Sequence, residues 1–198
     1  MTHLIPLSPS AFEPGDRMIP SRPSADHCRG GSNFHFVLSY YAVHTPGIQC
    51  LANPTWIILG NAVQPDVTLH IRAEFGGRTT DVKGYASGAP ELAVEISKST
   101  RSYDLGLNLA LYQRAGVPEY VAALVQERRI EWRLLEEGSY QLMPPPADGI
   151  YRSQIFPGLW LDSSAFWRND TTALIELLEQ GLRSEEYDAF VEKLKSFR

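Results

Sequence analysis

The sequence predicts a mixed α/β fold in which a central sheet is flanked by helices. Leu92, Val94 and Ile96 fall on one face of a predicted strand that spans Leu92–Ser97. A helix is predicted to follow from about residue 104 to residue 115, and Gly116 stands where a helix C-cap belongs. Residues 119–125 and 130–135 form a predicted antiparallel pair, and two helices with apolar stripes close the chain.

The first 22 residues are rich in proline and lack periodicity, so we expect an extended N-terminal arm there. We expect a single domain over residues 23–198, because a chain of 198 residues is long enough to bury its own core. Cap-type residues at Ser24 and Asp26 precede a segment whose apolar residues have helical spacing. That predicted helix ends at Pro46-Gly47.

The middle of the chain is predicted to be rich in strands. Residues 48–51 and 55–59 are two short predicted strands, and residues 62–71 form one longer predicted strand. The Gly-rich segment 72–89 is predicted to be a loop. Residues 140–143 are predicted to add a strand after the antiparallel pair, while Asp170 and Ser184 are predicted N-caps of the closing helices.

Composition narrows the class of protein. The net charge of −5, from 18 Lys and Arg against 23 Asp and Glu, argues against a strongly basic nucleic-acid coat and leaves a local basic patch open. No apolar run approaches membrane-spanning length, and the start of the chain lacks the pattern of a signal peptide. Cys28 and Cys50 have no metal-type spacing. These features favour a cytoplasmic protein without a membrane partner.

Two acidic residues stand out because each interrupts an otherwise apolar strand, namely Asp66 and Glu95. A carboxylate within an apolar strand is costly unless something pairs with it. If the two strands are neighbours with matching faces, the two carboxylates form an oxygen-rich site suited to magnesium or manganese. Alternatively, each carboxylate pairs with an Arg or Lys. Spacing alone does not decide between these two interpretations.

Other candidates carry weaker signals. His27, His35 and His44 do not share one helix face, so we interpret them as cap, surface or core residues rather than zinc ligands. His70 shares strand parity with Asp66 and is interpreted as a structural histidine. The tryptophans are interpreted as core or dimer-interface anchors rather than base-stacking platforms: Trp132, Trp160 and Trp167.

A series of short motifs, taken in order, resembles the Uma-two family of proposed restriction endonucleases, within the PD-(D/E)xK nuclease superfamily. The similarity covers roughly residues 15–195. The residues that carry it are Asp26-His27, Pro65-Asp66, the run 88–96, Ser99, the run 103–105, Leu109, Tyr112, the run 116–120 and the run 156–161.

The resemblance implies a restriction-endonuclease-like fold, DNA as substrate, a divalent metal (magnesium or manganese) and often a homodimer. Asp66 matches the metal-binding Asp of the family, and Glu95 matches its second acid. A lysine that orients the attacking water lies two residues after the second acid in the plain form of the superfamily, where this chain has Ser97. In this family it comes instead from the following helix, where this chain has Asn108.

Asn108 carries no charge, so the expected active site lacks its usual cation. A group that stabilises developing negative charge is typically worth about 10²–10³ in rate. Lys98 is the obvious substitute, but a regular strand sends it to the face opposite Glu95, so it serves only if the strand ends or bulges at Ser97. Two hypotheses follow: a metal-dependent DNA endonuclease, or a nuclease-fold protein that has lost catalysis and acts as a binding or scaffold module.

Overall fold

The fold is built on a six-stranded mixed sheet that brings distant parts of the sequence side by side. In this computed structural model, residues 5–6, 24–97 and 103–197 are described. In chain order, the first elements are β1 (Ile5–Pro6), α1 (Ala25–His44), β2 (Ile48–Ala52), β3 (Trp56–Ile58), β4 (Asn61–Val63), β5 (Val67–Ile71), β6 (Thr80–Val82), β7 (Tyr85–Ser87) and β8 (Leu92–Ser97). They are followed by α2 (Tyr103–Ala115), β9 (Glu119–Leu124), β10 (Arg129–Glu136), β11 (Ser139–Leu142), β12 (Ile150–Arg152), β13 (Trp160–Asp162), α3 (Ser163–Arg168), α4 (Thr171–Gly181) and α5 (Glu185–Lys195).

The strand order of the central sheet is β11-β10-β9-β8-β5-β2. Strands β8 and β9 are parallel, whereas the other neighbouring pairs in this sheet are antiparallel. Parallel neighbours need a crossover connection, and α2 lies in the connection between β8 and β9. The predicted strand–turn–helix unit is therefore one half of a β-α-β unit at the centre of the sheet.

Side chains cover the central sheet on both faces. On one face, Val94 and Ile96 pack in a core cluster with Phe34 of α1 and residues of α3, α4 and α5. On the other face, Ala93 packs with Tyr112 of α2 and with Trp56 of β3. Burial on both faces explains why all six residues of β8 are buried, including Glu95.

A second sheet lies against the central one and has the strand order β1-β4-β3-β7-β6. Its presence corrects two predictions. Segment 72–89 is not only a loop, because β6 and β7 form a hairpin within it around Lys83-Gly84, both with positive φ. A short 3-10 helix, Ala73–Phe75, also lies in this segment.

The predicted continuous strand over residues 62–71 was wrong. It is split into β4, which belongs to the second sheet, and β5, which belongs to the central sheet. Pro65 lies at the break, and a proline has no backbone N–H to give to a sheet. As a result Asp66 directly precedes β5 instead of lying inside a strand.

Most of the other predicted elements are confirmed. Helix α1 begins after Ser24, whose hydroxyl accepts from the backbone N–H of His27. Asp170 and Ser184 cap α4 and α5 as predicted. Three elements between residues 150 and 168 were not predicted: β12, β13 and α3. Asp162 caps α3. The predicted N-terminal arm lies outside the described residues apart from Ile5–Pro6, which pairs with β4.

The helices in the described part of the chain include none that is both long enough and apolar enough to cross a membrane.

The backbones of Gly158, in the run 156–161, and Gly181, at the end of α4, are in close contact. A Cβ placed on Gly181 would lie 2.1 Å from the carbonyl oxygen of Gly158. We expect Gly181→Ala to lower the free energy of unfolding by about 3 kcal/mol, because packed backbone cannot give way easily. Urea unfolding measures the change. The matched control is Gly31→Ala in α1, where a Cβ meets no described atom within 4 Å. An equal effect of the two substitutions would contradict the expectation.

Candidate active site

The sheet register places Asp66 and Glu95 beside each other. Strands β5 and β8 are antiparallel, with Val67 opposite Val94. Continuing this register by one residue places Asp66 opposite Glu95. Directly opposed residues of antiparallel strands point to the same face, so the two carboxylates share the α2 side of the sheet. The predicted acid pair is therefore brought together by the fold.

Two donors from α2 hold the carboxylate of Glu95. Asn108 Nδ2 donates to Glu95 Oε1 over 3.0 Å, and the Tyr112 hydroxyl donates to the same oxygen over 2.9 Å. Asn108 and Tyr112 are four residues apart, which places them on one face of the helix. All three residues are buried, with Glu95 only 8% exposed. Helix α2 therefore holds both Asn108 and Tyr112 against the second acid.

Asp66 is held by different groups. Its Oδ2 accepts a hydrogen bond of 2.6 Å from the backbone N–H of Ile96, the residue after Glu95. Its Oδ1 lies 3.3 Å from Nε2 of His27, which α1 supplies from its first turn. The Asp66 side chain is 18% exposed and that of His27 is 32% exposed, so this side of the site opens to solvent.

Two neighbours of the carboxylates, His27 and Tyr112, have raised pKa values. The hydrogen-bonding contact with Asp66 raises the pKa of His27 above its usual value, against the lowering effect of partial burial. Burial, with a further contribution from the charge of Glu95, raises the pKa of Tyr112 well above its usual value. Tyr112 therefore keeps its proton and remains a hydrogen-bond donor to Glu95.

A row of charged residues on β10 lies on the same face. Glu95 is opposite Ala122, and Ala122 is opposite Glu131. Glu131 is buried, and it pairs with Arg129 and with Arg133. Two strand spacings separate Glu95 from Glu131, about 10 Å between Cα atoms. Both arginines are thus paired with Glu131.

The donor set fits a hard divalent cation. Magnesium prefers oxygen ligands, keeps several waters and is commonly held by one or two carboxylates, which Asp66 and Glu95 can provide. Zinc sites usually need at least three protein ligands from His, Cys, Asp and Glu. No such group of three occurs among the residues that the structure describes. Carboxylate oxygens are the kind of ligand that magnesium and manganese prefer.

Three further residues near the acid pair in sequence are Ser97, Lys98 and Asp104. Ser97, at the position of the superfamily's lysine, is buried at the end of β8, and its carbonyl accepts from the N–H of Val125. Lys98 lies outside the described residues, so its predicted role stays a prediction. The side chain of Asp104 is also outside the described part, although its backbone belongs to α2.

His27 is the residue at this site that the sequence analysis missed. It was interpreted as a cap, surface or core residue, whereas its ring contacts the Asp66 carboxylate. A histidine in the first turn of a helix gives no local sign of a partner on a distant strand. The Asp26-His27 motif was the available signal, since it is among the residues that carry the family resemblance.

The chain is similar to known proteins in sequence and in fold. The sequence model of the Uma2 family, described as "Putative restriction endonuclease", matches residues 14–164. A search of curated proteins finds no significant match. A solved structure from Anabaena variabilis ATCC 29413, described as a "putative nuclease belonging to DUF820", is similar with a TM-score of 0.59. The two chains are 13% identical, and the similarity covers 75% of this chain and 83% of that one.

At that identity the structural likeness shows the fold alone, and it confirms the predicted mixed sheet flanked by helices. The family match spans well over half of the chain and includes Asp66, Glu95 and Asn108. The chain therefore belongs to the Uma2 family, whose description is "Putative restriction endonuclease".

Proposed function

We propose that this protein is a divalent-metal-dependent DNA endonuclease that hydrolyses phosphodiester bonds slowly. The observation that carries the proposal is the placement of Asp66 opposite Glu95, with Glu95 Oε1 fixed by two donors from α2. Two oriented carboxylates at one end of a sheet suit a magnesium or manganese ion. Membership of the family supports DNA as the substrate, and the resemblance also supports a homodimer in the cytoplasm.

Each residue then has a defined task. Asp66 and Glu95 would hold the ion, which supplies a Lewis acid for the phosphate and lowers the pKa of a bound water. The Ile96 N–H fixes the orientation of Asp66, while Asn108 and Tyr112 fix that of Glu95. Such pre-organisation keeps the carboxylates in place without a loss of entropy during the reaction.

The proposed slowness follows from Asn108. An amide donates hydrogen bonds but cannot neutralise the charge that develops on the phosphate. Asn108 already donates one hydrogen bond to Glu95. Lys98 belongs to this proposal as the alternative source of a cation near the site.

The proposal is tested by incubating the purified protein with plasmid and single-stranded DNA in magnesium or manganese. We expect the wild type to nick DNA and Asp66→Ala to lose at least about 10²-fold in rate, as is usual when a group that stabilises the transition state is removed. The matched control is Asp148→Ala, an exposed carboxylate paired with Arg152, which should cleave as the wild type does.

The second candidate function is a nuclease-fold binding or scaffold module, and the uncharged Asn108 is the observation that favours it. Calorimetry with magnesium or manganese separates the two functions. If the wild type and Asp66→Ala are equally inert and neither binds metal, the enzyme proposal is wrong. Metal binding that depends on Asp66, together with cleavage, supports it.

A further inference from the structure

A cavity of about 210 Å³ lies on the α1 face of the central sheet, at the same end of β8 as the acid pair, and is not used by the chemistry proposed above. Three elements form it: the first turns of α1, the turn between β9 and β10, and the end of α3. The lining residues that matter here are Asp26, Arg29, Asn33, Arg128, Trp167 and Asn169.

The polar groups around this cavity are mainly hydrogen-bond donors. Asn33 Nδ2 donates to Asn169 Oδ1 over 3.0 Å, which leaves the donor end of the Asn169 amide for other partners. Trp167 keeps its indole Nε1 buried with no hydrogen-bond partner in the described part of the chain. This nitrogen is closed to solvent, so the donors that a ligand in the cavity can reach are those of Arg128 and Asn169.

The charge of the lining is positive, although the chain as a whole carries −5. Arg29 Nη1 lies 2.6 Å from Asp26 Oδ1, so these two charges offset each other. Arg128 supplies the remaining positive charge, and its Nη2 donates to the carbonyl oxygen of Trp167 over 2.6 Å. A guanidinium has five N–H donors in a fork that suits phosphate oxygens. An anion rich in acceptors therefore matches this cavity.

The cavity and the acid pair lie at the same end of β8. Asp26 and Asn33 line the cavity from α1, and His27 on the same helix contacts Asp66. Gly30, also in the lining, packs so closely on Ile96 that a Cβ there would lie 3.2 Å from it. Val125 lines the cavity as well, and its N–H bonds to the last carbonyl of β8.

We propose that this cavity binds a phosphodiester group of a single nucleic-acid strand, next to the phosphate held at the acid pair. The inference rests on the proposed function for the identity of the strand as substrate. Arg128 provides the charge, while the Asn169 amide provides a hydrogen bond to the phosphate oxygens. The cavity thus holds the strand in register for cleavage.

Arg128 allows a variant that preserves the fold. Its φ is +47°, a left-handed conformation that glycine adopts without strain. Arg128→Gly therefore removes the guanidinium without forcing the turn to change. Lys83→Gly is the matched control, because Lys83 also has a positive φ, +55°, in the turn between β6 and β7. Each substitution removes one positive charge from a left-handed turn.

The test measures binding of a short fluorescent single-stranded oligonucleotide by anisotropy, in EDTA, over a range of salt concentrations. We expect Arg128→Gly to weaken binding by about tenfold or more, the usual loss for a hydrogen bond to a charged group. The slope of log K against log salt should fall by about 0.7, the value for one phosphate contact on a single strand. Lys83→Gly should bind as the wild type does.

An oligonucleotide with an uncharged methylphosphonate backbone supplies a further arm, and Arg128→Gly should not weaken its binding. The inference is overturned if Arg128→Gly binds as the wild type does, if Lys83→Gly weakens binding equally, or if the wild type does not bind in EDTA. Cleavage of DNA by a protein whose binding ignores Arg128 would leave the proposed function standing without this site. Binding through Arg128 by a protein that never cleaves DNA would support this site and contradict the proposed function.

Discussion

Asn108→Lys is expected to raise the rate of magnesium-dependent DNA cleavage by about 10²-fold over the wild type, within the range measured for single charge-stabilising groups. The reason lies in the position of Asn108, whose Nδ2 is 3.0 Å from Glu95 Oε1. A lysine has a longer side chain, so its ammonium group could reach past this oxygen to a phosphate bound in front of the two carboxylates. It would bring to the acid pair the positive charge that the amide lacks.

The burial of residue 108 decides whether a lysine at this position remains charged and raises the rate. Asn108 is only 4% exposed, and a lysine there must be paired to remain charged. Glu95 is the available partner, and Tyr112 still holds the carboxylate in place after the substitution. Rates of plasmid nicking, measured with saturating magnesium, give the ratio of variant to wild type.

Two controls separate charge from other effects. Asn108→Met has a side chain of similar length to lysine without a charge, so it should leave the rate at or below that of the wild type. Leu107→Lys adds a charge on the same helix at a residue that is 37% exposed, and it should not raise the rate. If the Asn108→Lys protein is folded, binds magnesium and cleaves no faster, then the missing cation is not what limits this site.

The parts of the fold that the sequence predicted were those with a strong local signal. Val94 and Ile96 alternate with Glu95 along β8, and Asn108 and Tyr112 share a face of α2. These patterns depend only on the periods of strands and helices, so they survive in any tertiary context. The pairing of Asp66 with Glu95 needed a further condition, that β5 and β8 be neighbours. The register of β5 and β8 meets it.

The parts that the sequence did not predict depend on contacts between distant residues. His27 contacts Asp66 only because α1 lies across the end of the central sheet, which no local pattern encodes. The break at Pro65 had a local cause, but apolar parity on both sides of it, at Val63 and Val67, concealed the change of sheet. Trp167 packs against the core, as interpreted from the sequence, and no local pattern showed that it also lines a cavity.

Two other buried groups, Glu119 and His70, should give the stability of the protein opposite dependences on pH. Glu119 is fully buried and accepts from the Ser153 hydroxyl over 2.6 Å and from the Gln154 N–H over 2.7 Å. Burial raises its pKa from 4.5 to about 7 despite these donors. His70 is 4% exposed and packs edge-on against Trp56, and burial lowers its pKa from 6.5 to about 4.

The signs follow from which state of the protein binds the proton more tightly. The folded protein protonates Glu119 more readily than the unfolded chain does, so this contribution is full below pH 4.5 and is lost as the pH rises to about 7. The folded protein protonates His70 less readily, so that contribution is full above pH 6.5 and is lost as the pH falls to about 4. Each shift corresponds to roughly 3 kcal/mol at 1.36 kcal/mol per pKa unit.

Between pH 4.5 and 6.5 the two contributions therefore offset each other in the wild type, and single variants should expose each one. In Glu119→Gln the free energy of unfolding should rise across this interval by roughly 3 kcal/mol relative to the wild-type profile. In His70→Phe, which keeps an aromatic ring against Trp56, it should fall by a similar amount. Urea unfolding at several pH values measures both profiles.

The comparison uses the slope with pH rather than the stability at one pH, because each substitution also changes packing and hydrogen bonds. His27, whose pKa is raised, titrates in all of these proteins and cancels from the difference between variant and wild type. The double variant should regain the pH profile of the wild type at lower stability. If either single variant instead follows the wild-type profile, the group that it replaces has the same pKa in the folded and unfolded protein, and burial does not shift it.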